Sequence, residues 1–315
     1  MVKYIERYKK FIKNTRTGEL RLFKGNKALL LSIYYSMSKN VVNNDDVASG
    51  YNNISETYHN WTGLMGKHSE KIVEKEMFVN SESFNVLDLA CGQGFITRKI
   101  LEKFDNQIKF SLKCVDISSK MLDVCKARNN YENVDFINSE AYSYLLQQKN
   151  ESIDMIFFGW ALGYFDYNKI LKLINTKLKP NGYLCIITNG DATFSEFEDY
   201  YIEVIVNDYK NLNKVFEASF ELPKDKHVLN KWMEKYHFDV VKSDDGNECL
   251  TFDKPEECFY WLKNAGVLAG TDKIFKNQKR AERMLIDLIG KYECRNNKYH
   301  ISPSYIHGIY KKVGA

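Results

Sequence analysis

The chain has 315 residues, 44% hydrophobic and 27% charged, with a net charge of +4. That is the composition of a globular protein with room for one α/β domain of about 200–250 residues and an appendage; it excludes wholesale disorder, collagen and a small disulfide scaffold. The longest apolar runs, such as 28–35, fall short of the ~20 residues that span a bilayer, and the N-terminus shows no apolar signal region, so neither a membrane nor secretion is expected.

Seven cysteines, an odd number with no C-x-x-C pair, fit buried free thiols in a reducing cytoplasm. Charge is uneven. Residues 1–40 hold ten Lys or Arg against Glu6 and Glu19, a local +8 that leaves −4 for the rest. Tyr4, Ile5, Tyr8, Phe11 and Ile12 recur there at helical spacing, so the arm reads as a docked helix with a solvated basic face more than as a free polybasic tail.

In chain order, residues 1–80 read as a helical N-terminal cap and lid, with loops expected around Thr15–Gly25 and Asn43–Asn53. The pattern changes at Asn85. Val86 to Ala90 is a short apolar strand, 91–94 a turn, and Phe95 to Phe104 a helix with Ile96, Ile100, Leu101 and Phe104 on one side. Phe110 to Asp116 is a second strand. Ser118 or Ser119 caps the next helix, which carries Met121, Leu122 and Val124. Val134 to Asn138 and Asp154 to Phe158 are further strands, Ile170 to Leu178 a helix, and Tyr183 to Thr188 a fifth strand. Strands alternating with helices over 81–190 give βαβ units and a doubly wound parallel sheet, with its ligand crevice at the carboxyl ends of the strands. Beyond Asp191, helices are expected at Glu196–Tyr209, Asn230–Tyr236, Pro255–Ala265 and Ala281–Tyr292, forming a helical acceptor-pocket segment over 191–300. Tyr305–Lys312, within 301–315, is expected as the last strand of the core sheet.

The turn Gly92-Gln93-Gly94 lies between a strand and a helix, where glycine lets backbone approach a ligand and a helix N-terminus offers free N–H groups. Asp116, at the end of the second strand and 22 residues after Gly94, is placed to accept hydrogen bonds from two ribose hydroxyls. The pair suits a dinucleotide or S-adenosylmethionine; Thr97 stands where the third glycine of G-x-G-x-x-G would be. Asp88 either organises the turn or meets an ammonium group. No Asp, His and Cys cluster shows metal-ligand spacing, so no metal is expected.

Residues 86–94, Val-Leu-Asp-Leu-Ala-Cys-Gly-Gln-Gly, resemble motif I of the class I S-adenosylmethionine-dependent methyltransferases. Residues 115–122 resemble that family's acidic second-strand motif, and 178–184, Leu-Lys-Pro-Asn-Gly-Tyr-Leu, its turn before the fifth strand. The resemblance implies a Rossmann-like, seven-stranded, mostly parallel sheet and S-adenosylmethionine as cofactor. It also implies cofactor contacts at Asp88, Ala90, Gly92, Gly94, Asp116, Ile117 against the adenine, and Met121. Glu140 and Ala141 fall at the position of the family's Asp-Ala, whose acid meets the adenine amino group, and Phe158 begins the stretch to Tyr164 that lines the transfer site. Residues 51–58 are similar to the family's "Y-D-x-x-A-x-x-Y" stretch, implying a lid formed by Tyr51 and Tyr58.

Methyl transfer is an in-line displacement that needs orientation above all, and a base only where the acceptor must lose a proton. Tyr58, His59 and Tyr164 are the catalytic candidates. The turn after the fourth strand has no proline and no proline precedes a cysteine, which sets aside the amino-base and cytosine-C5 subclasses. The expectation is O- or N-methylation of a small-molecule acceptor, as in secondary metabolism, without nucleic acid and with no oligomeric state implied. An RNA or protein methyltransferase using the basic arm, or a cyclase or lyase on the same cofactor, are the alternatives.

Overall fold

The computed structural model describes residues 19–74, 83–104, 109–129, 131–216 and 221–314. The expected helix of the basic arm, from Tyr4 to Ile12, lies outside the described residues. The chain divides into two compact units, each assembled from discontinuous segments: one takes the chain up to Ile54, Phe194–Ser219 and Cys249–Ser302, the other Ser55–Thr193, Phe220–Glu248 and the segment from Pro303. These divisions cut across the cap, core and pocket boundaries expected from the sequence.

The second unit holds the sheet. Its strands are β1 (Phe84–Leu89), β2 (Phe110–Asp116), β3 (Val134–Asn138), β4 (Ile153–Gly159), β5 (Leu178–Thr188) and β6 (Phe238–Asn247). The first unit contributes β7 (Leu250–Phe252), β8 (Cys294–Arg295) and β9 (Lys298–Ile301), and β10 (Ser304–Lys312) returns to the second unit's sheet. The order β3-β2-β1-β4-β5-β10-β6 is parallel from β3 to β5, with β10 antiparallel to both its neighbours. This is the expected seven-stranded, mostly parallel sheet.

Alternation along the strands feeds two cores. Leu87, Leu89, Ile156, Phe158, Leu184 and Ile186 face one side. Val86, Leu112, Cys114, Met155, Phe157 and Ile187 face the other, against Ile96, Ile100 and Leu101 of the helix Phe95–Phe104. Each such side chain contributes about 1.5–3 kcal/mol on burial, and both faces being covered explains the near-continuous apolar strands.

The turn before Tyr183 is part of β5. Asn181 is left-handed (φ 65°). A Cβ on Gly182 would come within 2.9 Å of Asp154 O, and Lys179 Nζ meets Asp154 at 2.8 Å. The third motif therefore fastens β5 to β4 at the end opposite the crevice.

β6 went unforeseen: only Phe238 in it is buried, and Asp239, Lys242, Asp244 and Asp245 give it the polarity of a loop. It is an edge strand paired to β10 alone. Such strands carry charge to block further pairing.

In the first unit, the described part of one expected loop, 19–25, is helical, and so is most of a second; residues 15–18 lie outside the described residues. Helix Glu19–Met37 runs through Gly25, an isolated glycine that costs a helix only about 1 kcal/mol. Helix Asn44–Asn53 stands where the loop around Asn43–Asn53 is expected. Its polar start is a capping box, with Asp46 N donating to Asn43 Oδ1 at 2.9 Å and Asn43 N to Asp46 Oδ2 at 3.1 Å. A Cβ on Gly50 would overlap Gly270 N closely, at 2.6 Å, so this glycine allows close packing. The segment expected to be helical over 191–300 also contains β7, β8 and β9, a small antiparallel sheet of order β7-β9-β8. Among the described residues, no helix is long and apolar enough to cross a membrane.

Candidate active site

β1 and β4 lie side by side, with Leu89 paired to Phe158. Beyond them the chain leaves in opposite directions. After β1 the backbone turns left-handed at Ala90 (φ 58°), and Cys91 N donates to Val115 O of β2 at 3.0 Å. After β4 it turns left-handed at Trp160 (φ 60°), whose N donates to Ile187 O of β5 at 2.7 Å. Each turn hooks onto its outer neighbour. A crevice is therefore left above the β1–β4 pair, the switch point where doubly wound sheets take ligands.

Gly92 (φ 54°) and Gly94 (φ 75°) both occupy the left-handed region. Their surroundings differ. A Cβ on Gly94 would overlap Cys125 Sγ and Asn129 Nδ2, so its job is packing. A Cβ on Gly92 would meet nothing nearer than a Tyr58 ring carbon at 3.8 Å, so Gly92 leaves open space in front of the turn.

Asp116 closes the turn from β2. One carboxylate oxygen accepts from Gly92 N and the other from Ser118 N, each at 2.8 Å. Burial pushes its pKa up to about 6, against the pull of those two N–H groups. Ser118 is the N-cap of helix Ser119–Arg128, its Oγ accepting from Met121 N at 3.1 Å.

Asp88 is fully buried in β1. Its Oδ2 accepts from Thr97 Oγ1 at 2.6 Å, tying the strand to the following helix, while Oδ1 is buried with no hydrogen-bond partner. Burial raises its pKa to about 7. Asp88 thus organises the turn, and its second oxygen is an orphaned acceptor behind it, of the kind a ligand or ion accounts for.

Three residues that sequence reasoning passed over hold the turn in place. Gln93 is buried; its amide donates to Ser55 O and its Oε1 accepts from Arg128 at 3.0 Å. Asn129 donates to Cys125 O at 2.9 Å and to Gly94 O at 3.4 Å. Thr97, noted only as a missing glycine, is the partner of Asp88. Its signal was present, since a hydroxyl in the first turn of the helix is within reach of the strand's carboxylate.

The other expected residues fall in distinct places. Ile117 is half-buried at the end of β2, while Met121 and Ala141 are buried. Phe158 is fully buried in the core, with its ring 5.8 Å from that of Phe165, so it supports the crevice from below. Glu140 caps helix Ala141–Gln147, one oxygen accepting from Tyr142 N at 2.9 Å and the other from Ser143 N at 2.7 Å. Tyr58 is half-buried; burial, with Tyr164 and Asp116 nearby, raises its pKa and keeps the phenol protonated. His59 is exposed, its Nδ1 donating to Glu56 O at 2.8 Å. Tyr51 belongs to the other unit, half-buried in helix Asn44–Asn53.

At the end of β4 the surroundings are aromatic. Trp160 Nε1 donates to Ser69 Oγ at 2.9 Å, and its ring meets buried Trp61 edge-on with centroids 5.0 Å apart. Such pairs fix ring orientation.

A family model described as a methyltransferase domain matches residues 80–266. A malonyl-[acyl-carrier protein] O-methyltransferase of Priestia megaterium is 24% identical over 164 residues, 51% of this chain and 57% of its own length. A demethylmenaquinone methyltransferase of Staphylococcus aureus is 25% identical over 208 residues, 64% of this chain and 81% of its own. The chain thus spans little more than half the length of the first of these curated relatives. A crystal structure from Bacillus halodurans, assigned as a methyltransferase, covers 79% of this chain and all of its own with a TM-score of 0.53 at 16% identity, a likeness of fold. With the family match extending over more than half of its length, the chain belongs to the methyltransferase domain family, whose methyl donor is S-adenosylmethionine.

Proposed function

We propose that the protein transfers a methyl group from S-adenosylmethionine to an oxygen or nitrogen of a small-molecule acceptor. The observation that carries this reading is the turn after β1: open space before Gly92, a carboxylate from Asp116 against it, and an orphaned buried oxygen on Asp88 behind it. These residues fit the cofactor. Asp116 would accept from the ribose hydroxyls, the backbone at 92–94 would approach the nucleoside closely, and Ile117 would cover the adenine. Ile117 and its neighbours would offer the adenine an apolar surface, and Glu140, which caps a helix with one bond to each oxygen, keeps lone pairs for the adenine amino group. When bound, the cofactor supplies a methyl group activated by a sulfonium.

The chain's own contribution is orientation and exclusion of water. Trp160, braced by Ser69 and Trp61, walls the acceptor side. Tyr58, protonated through burial, is a hydrogen-bond donor beside the turn and not a base. Tyr164 stands next to it on the acceptor side, whereas exposed His59 has no part in proton transfer in this reading. The O-methyltransferase relative favours oxygen as the acceptor atom. The stretches 158–164 and 189–193 contain no Lys or Arg, so nothing in them attracts a phosphate backbone, and we read the enzyme as cytoplasmic and independent of nucleic acid.

Calorimetry with S-adenosylmethionine, followed by a screen of small acceptors with labelled methyl donor, tests this. Saturable binding and label transferred to a small acceptor are expected. Tighter binding of NAD, turnover of the cofactor without any acceptor, or label carried only by RNA would overturn it.

A further inference from the structure

Behind the same turn lies a group of side chains that methyl transfer does not use. The sulfurs of Cys91, Cys114 and Cys125 all lie within 4.8 Å of one another. They come from three separate elements: the turn after β1, the middle of β2, and the helix Ser119–Arg128. Cys114 and Cys125 are fully buried and Cys91 nearly so. The sequence hides this cluster, because spacings of 23 and 11 residues match no ligand motif.

We propose that Cys91, Cys114 and Cys125 form a binding site for a single soft, thiophilic metal cation, held by three sulfurs.

Three features favour a built site over three small apolar fillers. The first is spacing. With metal–sulfur bonds of ~2.3 Å, three sulfurs around one ion in a plane stand about 4 Å apart, so the cluster needs to contract only slightly. The second is the polar shell. Asn129 Nδ2 donates towards Cys125 Sγ at 3.8 Å, while Thr97 Oγ1, whose proton goes to Asp88, lies 3.3 Å from Cys114 Sγ as an acceptor for its thiol. An amide aimed at a sulfur is what orients a thiolate ligand. The third is the donor set. Among the described residues, no histidine or carboxylate joins the three sulfurs as a further common ligand. An all-sulfur, three-fold site selects a cation content with few soft ligands, copper(I) before zinc. Binding is a ligand exchange with no change of oxidation state: the metal–sulfur bonds form, the thiol protons pass to solvent, and the cation's previous ligands leave.

The position gives such an ion a consequence for the fold. Cys91 immediately precedes Gly92, and Cys125 packs under Gly94. An ion there would tie the turn to β2 and to the following helix, and by binding only the folded chain would raise its melting temperature.

The test starts from the full chain carrying Cys249→Ser and Cys294→Ser, which removes the two exposed thiols. Copper(I), kept reduced under anaerobic conditions, is titrated in competition with a chromophoric copper(I) chelator, and zinc(II) is titrated in parallel. One copper(I) per chain, a sulfur-only three-coordinate X-ray absorption spectrum and a raised melting temperature are expected, with zinc weaker. Cys125→Ala should lower copper affinity by roughly a hundredfold or more and abolish the thermal shift. Cys91→Ala, at the rim and least able to disturb folding, should do the same. Absence of copper binding in the parent, a site with nitrogen or oxygen ligands, zinc binding tighter than copper(I), or undiminished binding in Cys91→Ala would overturn the proposal.

Discussion

The turns after β1 and β4 begin alike and end differently. Each leaves its strand through a left-handed residue, Ala90 or Trp160, and each donates one backbone N–H to the strand outside it. After β1 the chain then builds with glycines and carboxylates, and its front stays open. After β4 it builds with indoles, and Trp160 is locked against Ser69 and Trp61. Under the proposed function the contrast separates two tasks at one switch point: backbone and carboxylates would hold the nucleoside, and the shape of an aromatic wall would hold the acceptor.

The largest effect expected from this contrast concerns the two glycines. Gly94→Ala combines left-handed strain of about 1–2 kcal/mol with overpacking of about 1–3 kcal/mol against Cys125 and Asn129. Denaturant unfolding should show a loss of roughly 3 kcal/mol. Gly92→Ala carries the strain alone, so stability should fall by about 1 kcal/mol. The cofactor titration should suffer more, because the methyl enters the open space. Equal losses of stability in both variants would erase the distinction.

Next is Asp116→Ala. A hydrogen bond to a charged group contributes about 1.5–3 kcal/mol, so S-adenosylmethionine affinity should drop roughly tenfold to a hundredfold. Unchanged affinity by calorimetry would remove Asp116 from the site.

A pH series sharpens the same point. Burial raises Asp116 from 3.8 to about 6 and Asp88 from 3.8 to about 7. The folded chain therefore holds these protons where the unfolded chain has released them. Their contribution to stability falls as pH rises from 3.8 through about 6 and 7, and is level above. Cofactor affinity should move the other way, since the carboxylate of Asp116 must be ionised to accept from ribose. It should weaken by about tenfold per pH unit below about 6. Melting temperature and cofactor titrations across that range would show the opposed trends, and Asp116→Asn should flatten the second.

The smallest effect lies at the other turn. Trp160→Phe removes the hydrogen bond to Ser69, about 1 kcal/mol of stability. Cofactor affinity should be preserved and the acceptor's KM raised. A matching loss of cofactor affinity would show that the aromatic wall and the glycine turn are not separate devices.

The polar loops read most poorly. Asn43 to Asn53 has the composition of a loop, yet Asn43 and Asp46 cap each other and Gly50 fits against Gly270. Composition carries no record of which partner a polar side chain will find. Glu140 is similar: its place in the motif pointed to adenine, and nothing in that pattern announced that its carboxylate also satisfies the first N–H groups of a helix.

The sequence by itself determined the parallel half of the sheet, because strands buried on both faces must be apolar throughout and the helices between them must repeat at 3.6 residues. It also determined the turn at Gly92 and the acid at Asp116, whose chemistry is local to a strand end. Only the tertiary structure decided the rest. β6 is paired through β10 alone and exposes most of its side chains, so no hydrophobic period marks it. Trp160 is given to Ser69 and three cysteines to one another, because those meetings depend on how helices pack across the sheet, which no spacing along the chain encodes.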